Sequence, residues 1–240
     1  MIIKQFNFIY FLILFIIALS IVFISIFFKN KNQKQKDILM ISLGIFNILF
    51  FLVYKICLSQ DDYEFIIWKE LPLQLCNINM FIIPLAVIFK NKYLVSFGFY
   101  VAPLAAIMAI TFPELAFTNN SIFLMRNIGF YGTHSIIVIM GIMLFPLGYI
   151  KPNVKDVISL IIPTIILSLF AFLINIMFYA LTGVETNYFF TMHTSDISLL
   201  NLFYKLIPVK YVYLIPALGI LVTYVLIFNG TLSIIKKIKN

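Results

Sequence analysis

A thiol and a side-chain amide, two groups suited to covalent catalysis, stand three residues apart at Cys76 and Asn79. If the segment from Leu71 is helical, with Pro72 in its first turn, then Pro72, Cys76 and Asn79 share one face. Cys76 would be the nucleophile, and Asn79 or a backbone N–H would stabilise an oxyanion. A buried cysteine is more often an unreactive small apolar residue, so that alternative stays open.

A second polar face is predicted where Asn127, Tyr131 and His134 recur at helical spacing. A thiol in apolar surroundings keeps its proton, and an imidazole can remove it. We therefore expect His134 to be the base for Cys76 and Tyr131 to orient the reacting groups. The alternative is that the histidine and asparagine only bridge neighbouring membrane helices.

Three further residues are candidates for substrate binding. Arg126 is the only arginine in the chain, and its planar fork suits a phosphate or a carboxylate, although interfacial anchoring explains it equally well. Asn187 and Tyr188 lie in a long polar segment and either face the site or cap the loop. His193 lies in the same segment, where we expect it to be solvated.

The composition requires a membrane, because 63% of the 240 residues are hydrophobic and only 11% are charged. Runs long enough to cross a bilayer predict an all-α bundle of about seven transmembrane helices in a single integral membrane domain, residues 1–240. The predicted spans are Phe6–Phe28, Ile38–Leu58, Leu71–Phe89, Tyr93–Ile110, Ile128–Gly148, Val157–Leu181 and Tyr211–Ile235.

The lysines predict the orientation. If successive loops alternate sides, one side holds eleven lysines and two acids, and the other holds six basic and seven acidic residues. Positive charge marks the cytoplasmic side, so we expect the N-terminus outside and the C-terminus in the cytoplasm of a multi-pass cell-membrane protein. The net charge of +8 is then a consequence of topology and does not indicate nucleic-acid binding.

An amphipathic helix is predicted between the last two spans. Ser195 and Asp196 form a helix-start signal. Apolar residues follow at helical spacing up to Pro208, namely Leu199, Leu200, Phe203, Leu206 and Ile207. We expect this helix to lie in the outer membrane interface, over the mouth of the bundle.

Three short motifs resemble the YwaF-like bacterial branch of the transmembrane protein 164 family, which is distantly similar to androgen-induced lipid hydrolases. The motifs are Leu71-Pro72-Leu73-Gln74-Leu75-Cys76, Tyr131-Gly132-Thr133-His134-Ser135, and Gly183 through Asn187-Tyr188 followed by Ser198-Leu199-Leu200-Asn201. Animal members of the family are described as lipid acyltransferases that use a cysteine and a histidine. The resemblance places these two roles on Cys76 and His134. The chain departs from the family pattern at Gln74, where a histidine is expected, and after Tyr188, where a Lys-Pro pair is expected.

Residues and resemblance together predict a lipid acyltransferase or acyl hydrolase that acts near the outer leaflet on membrane lipid. No cofactor, metal or nucleic acid is indicated. A non-enzymatic lipid carrier or receptor, or an accessory subunit of a membrane complex, is the alternative. A membrane-protein partner or a second copy of the chain stays open. So does a disulfide between Cys57 and Cys76, which would remove the nucleophile.

Overall fold

The computed structural model describes residues 1–60, 65–112, 120–195 and 197–239. This part of the chain is mostly helical and has almost no strand, as predicted. The helices are α1 (Phe8–Phe28), α2 (Gln33–Ser59), α3 (Ile67–Glu70), α4 (Asn79–Phe89), α5 (Lys92–Thr111), α6 (Met125–Met143), α7 (Asp156–Thr182), α8 (Ser198–Leu206) and α9 (Ile215–Lys239). Two short strands, β1 (Ile2–Ile3) and β2 (Asn120–Ser121), pair antiparallel.

Five helical segments are long and apolar enough to cross a membrane: Phe8–Phe28, Gln33–Ser59, Lys92–Thr111, Asp156–Thr182 and Val212–Ile234. They correspond to five of the seven predicted spans. Of the other two, α6 has 19 residues but carries Arg126, Asn127 and His134, and α4 has only 11. A multi-pass membrane protein is thereby confirmed, whereas the count of seven spans stays a prediction.

The predicted third span is wrong in its first half, because residues 71–78 form turns and the helix begins only at Asn79. Asn79 explains the difference. Its side-chain Nδ2 donates to the Leu75 carbonyl at 2.7 Å, which is the carbonyl that the Asn79 backbone N–H would use in a helix. That N–H donates instead to the Cys76 carbonyl at 3.3 Å. Pro72, Cys76 and Asn79 therefore do not share a helix face.

The chain forms two compact units. The first contains Met1–Ile66 and Leu75–Lys151, and the second contains Ile67–Gln74 and Pro152–Asn240. In the first unit α6 packs against α1, α2 and α5, while α4 packs between α2 and α5. In the second unit α7 packs against α9, and α8 packs beside the turn that precedes α9. The single domain of 1–240 stays a prediction.

Contacts inside the first unit confirm which helix ends lie together. At one end β1 pairs with β2, and Tyr10 at the start of α1 is 3.1 Å from the Thr111 hydroxyl at the end of α5. At the opposite end the Tyr149 hydroxyl donates to Asp37 at the start of α2, at 2.7 Å. These contacts place the start of α1 with the end of α5, and the segment after α6 with the start of α2. The alternation of all the loops stays a prediction. Which end faces the cytoplasm stays a prediction.

The predicted amphipathic helix is present as α8, which ends at Leu206, two residues before Pro208. The helix begins at Ser198, three residues after Ser195, and Asp196 of the predicted start signal lies outside the described residues. Phe203 is buried, whereas Leu199 and Leu206 are exposed. Its place in the outer interface and its covering of the bundle mouth stay predictions.

Candidate functional site

The predicted polar face of α6 is confirmed as a buried face. Asn127, Tyr131 and His134 expose at most 4% of their surface. They lie among the other inward residues of this helix, which include Thr133 and Ile137. A polar face on a central helix places these side chains against protein and not against lipid.

Two glycines of α6 allow α2 to approach this face closely. A Cβ atom on Gly129 would lie 2.1 Å from Cγ of Tyr54, and one on Gly132 would lie 2.6 Å from Cε1 of Phe50. Only a residue without a Cβ leaves room for these aromatic rings. The middle of α2 is therefore held directly against the segment that contains His134.

His134 has a defined tautomer. Its Nδ1 is 2.7 Å from the Phe130 carbonyl oxygen, which can only accept a hydrogen bond. Nδ1 therefore carries the proton, and Nε2 carries a lone pair. That Nε2 is buried and has no hydrogen-bond partner among the described residues. The ring is thus in the state that a general base requires.

Cys76 lies in the turn before α4 and is half-buried. The backbone N–H groups of Cys76 and Asn77 lie against its sulfur. Within the described chain these two N–H groups donate to no backbone carbonyl, since the turn has no i to i−4 ladder. A helix would have used them internally. The turn therefore leaves two backbone N–H groups beside the sulfur.

The start of α4 and the N-terminal part of α6 both contact α2. Met80, directly after Asn79, packs in one cluster with Phe51 and Tyr54 of α2. Tyr54 also covers Gly129 of α6. The turn that carries Cys76 and the helix that carries His134 thus flank the same part of α2.

No hydrogen bond joins Cys76 to His134, since Nδ1 is bonded to Phe130 and Nε2 has no partner in the part of the chain that the structure describes. Cys57 and Cys76 are both free thiols, so the disulfide alternative is not realised. Whether Cys76 and His134 act as a pair stays a prediction.

Asn79 is fully buried, and one N–H of its amide is committed to the Leu75 carbonyl. Its second N–H is the one that an oxyanion could use, and its Oδ1 has no partner among the described residues. Arg126 is the second residue of α6, and its Nε is buried without a partner among those residues. A cation there adds to the positive end of the helix dipole, which favours an anionic ligand.

Asn187 and Tyr188 belong to the second unit, and their polar groups are committed to the loop. The Asn187 amide donates to the His193 carbonyl at 2.8 Å and accepts from the Met192 N–H at 3.0 Å. The Tyr188 hydroxyl donates to the Trp68 carbonyl at 2.5 Å. Burial raises the pKa of Tyr188, so its hydroxyl stays protonated as a donor. These bonds match the loop-capping alternative, and a role in substrate binding stays a prediction.

The comparison with known families decides the relationship. A sequence model of the TMEM164 family matches residues 3–228. The chain belongs to the TMEM164 family. No curated protein and no solved structure matches it. The YwaF-like branch and the lipid chemistry implied by the resemblance stay predictions.

Within this member of the TMEM164 family, the third motif of the resemblance has a structural explanation. Asn175 of α7 is fully buried and uses both ends of its amide on the loop. Its Nδ2 donates to the Tyr188 carbonyl and its Oδ1 accepts from Thr186. Farther along, the Thr194 hydroxyl is 2.5 Å from Oδ1 of Asn201. The motif residues thus hold the segment between α7 and α8 in place.

Sequence reasoning missed two polar residues of this TMEM164-family chain. Asn47 of α2 is fully buried and donates from Nδ2 to the Thr133 carbonyl of α6 at 3.4 Å. Thr133 is itself 1% exposed. An asparagine in the middle of an apolar span is the signal that could have found this contact, because membrane helices tolerate a buried amide where a neighbouring helix bonds it. No group of three or more metal-binding side chains occurs in the described ranges.

Proposed function

We propose that this TMEM164-family protein transfers an acyl chain from a membrane lipid through Cys76, with His134 as the base. The observation that carries the proposal is the His134 ring. Its proton is held on Nδ1 by the Phe130 carbonyl, which leaves a buried lone pair on Nε2 with no partner among the described residues. A purely structural histidine would be expected to bond both ring nitrogens.

In the first step Nε2 of His134 takes the Cys76 proton, and the sulfur attacks the carbonyl carbon of an ester. The carbon–sulfur bond forms while the carbon–oxygen bond breaks, and the leaving alkoxide takes the proton back from Nε2. The Cys76 and Asn77 backbone N–H groups support charge on the thiolate, and Asn79 donates to the oxyanion. The ring and the sulfur come into hydrogen-bond contact when substrate binds.

The substrate reaches this site from the lipid. The first unit has a large apolar surface that faces lipid, since α1 buries only Ile9, Tyr10 and Ile17, and Phe15 and Phe23 are more than 60% exposed. A lipid with a charged headgroup would place its phosphate at Arg126, near the predicted outer end of α6. Its ester would then lie one to two helical turns deeper, at the level of the polar face.

The proposal is tested with an acyl-phosphonate probe on the protein in native membranes. We expect labelling of the wild type and of Cys57→Ala, which removes the other thiol and serves as the matched control. Labelling should be lost in Cys76→Ala and strongly reduced in His134→Ala. A Cys76→Ala protein that labels as well as the wild type would overturn the mechanism, because the nucleophile would then be another residue.

A further inference from the structure

The buried polar side chains of the first unit share an arrangement. Three amides, Asn47, Asn79 and Asn127, each donate from Nδ2 to a main-chain carbonyl. Their Oδ1 atoms have no partner among the described residues, and each residue is fully buried. His134 repeats the arrangement, with its Nδ1 bonded and its Nε2 unpartnered. The atoms left without partners are therefore mostly hydrogen-bond acceptors.

Thr133 differs from four other threonines of the described helices, and also from Thr111, whose hydroxyl is 3.1 Å from that of Tyr10. The hydroxyls of Thr164, Thr182, Thr223 and Thr231 donate to the carbonyl four residues earlier. The Thr133 hydroxyl is buried and has no partner in the described ranges. An unpartnered buried hydroxyl is destabilising, so a ligand that bonds it is favoured.

Asn47 and Thr133 carry two of these unpartnered atoms at a contact between α2 and α6, one residue before His134. Asn47 Nδ2 donates to the Thr133 carbonyl at 3.4 Å, which brings the Asn47 side chain to the residue that carries the unpartnered hydroxyl. His134 is the next residue of α6 and is also buried. A ligand group bound where Asn47 meets Thr133 could bond an amide oxygen and a hydroxyl, and the adjacent residue carries the unpartnered Nε2.

The charge around these atoms selects a neutral donor. The Lys55 ammonium lies over the Tyr54 ring at 4.6 Å and within electrostatic range of His134. Arg126 adds a second cation about two helical turns away, toward the N-terminus of α6. A buried ammonium or metal cation would be repelled there, whereas a hydroxyl bonds an amide oxygen at no charge cost.

We propose that Asn47 and Thr133 bind the hydroxyl group of the acyl acceptor and hold it beside Nε2 of His134. This inference rests on the proposed function and concerns the second step of the reaction, in which the acyl chain leaves Cys76 for the acceptor. The acceptor hydroxyl gives its proton to Nε2, and its oxygen bonds the acyl carbon of the Cys76 thioester. The carbon–sulfur bond breaks and the thiolate takes the proton from Nε2. The acceptor is therefore an alcohol, from a lipid or from water, and not an amine.

The two steps of the reaction are distinguished by measuring the formation and the release of the acyl-Cys76 thioester in purified, detergent-solubilised protein. The donor is a phospholipid with a fluorescent acyl chain, and the acceptor is water alone, a lysophospholipid or an amine lipid. The variants are Asn47→Leu and Thr133→Val, the second being nearly isosteric. Thr223→Val on α9 is the matched control, because its hydroxyl is exposed and bonded to its own helix.

We expect both variants to form the thioester to the wild-type amount and to release it at least about tenfold more slowly to the hydroxyl acceptor, while Thr223→Val matches the wild type. Free fatty acid as product identifies water as the acceptor, and a new lipid ester identifies the lipid alcohol. Release at the wild-type rate in Thr133→Val, or faster transfer to the amine lipid than to either hydroxyl acceptor, overturns this inference and leaves the first step intact. A wild-type Cys76 that forms no thioester overturns the proposed function and this inference with it.

Discussion

At the scale of single residues, His134 combines a bonded Nδ1 with an unpartnered, buried Nε2. The Phe130 carbonyl that fixes this tautomer belongs to the preceding turn of the same helix, so no distant residue is needed to set it. Burying a ring nitrogen without a partner lowers stability. Because the buried Nε2 lowers stability, we expect its lone pair to have a function. The same argument applies to the unpartnered Oδ1 atoms of Asn47 and Asn79.

The tautomer leads to a specific prediction for His134→Asn. The asparagine Nδ2 occupies the place of Nδ1 and can still donate to the Phe130 carbonyl, but nothing replaces Nε2. In a Cys57→Ala background we expect normal folding and a probe-labelling rate at Cys76 lower by about 10²–10⁴ at neutral pH. The difference in labelling rate between His134→Asn and the parent protein should become smaller at alkaline pH, where hydroxide ionises the thiol. Equal labelling rates at neutral pH would contradict the role of His134 as base.

At the scale of elements, the short α4 and the glycines of α6 determine the site. A helix that began at Leu71 would have engaged the Cys76 and Asn77 N–H groups in its own ladder. Non-helical backbone at membrane depth requires protein or water around it, and here the turn leads into an α4 packed against α2 and α5. The glycines of α6 then bring α2 close enough for Asn47 to reach Thr133.

Gly129→Ala is expected to separate α2 from α6. Its new Cβ would overlap Tyr54, at a cost of about 1–3 kcal/mol in the free energy of unfolding. The measurement is the SDS fraction at half-unfolding of purified protein, followed by near-ultraviolet circular dichroism. Gly219→Ala on α9 is the control, since nothing lies within 4 Å of its added Cβ. A Gly129→Ala protein as stable as Gly219→Ala would show that this close approach is not needed.

At the scale of the whole molecule, the described surface is that of a membrane protein. Exposed large apolar side chains run along α1, α2, α7 and α9, among them Phe23, Ile56, Ile166 and Ile227. Water would oppose so large an apolar surface, whereas lipid tails solvate it. Two compact units, each with its own helix contacts, are immersed in this solvent.

The distribution of lysines predicts the topology. We expect a C-terminal green fluorescent protein fusion to fluoresce in the cytoplasm, and an N-terminal alkaline phosphatase fusion, exported through its own leader, to be active outside. Replacing Lys29, Lys31, Lys34 and Lys36 by glutamine should give a mixed orientation, while the same change at Lys205 and Lys210 should not. An inactive phosphatase with a fluorescent C-terminus would mean an even number of spans.

The sequence by itself determined the membrane environment, five long spans and the buried face of α6, because hydropathy and helical spacing are local properties of the chain. Only the tertiary structure decided that Cys76 lies in a turn. The side chain of Asn79 takes the Leu75 carbonyl that its own backbone N–H would use in a helix, and residue spacing cannot reveal such a competition. The contact of Asn47 with Thr133 likewise depends on α2 meeting the glycines of α6, and no pattern within either helix reveals that. For Asn187 and Tyr188 the sequence left two readings open, and the hydrogen bonds to the surrounding loop agree with the capping one.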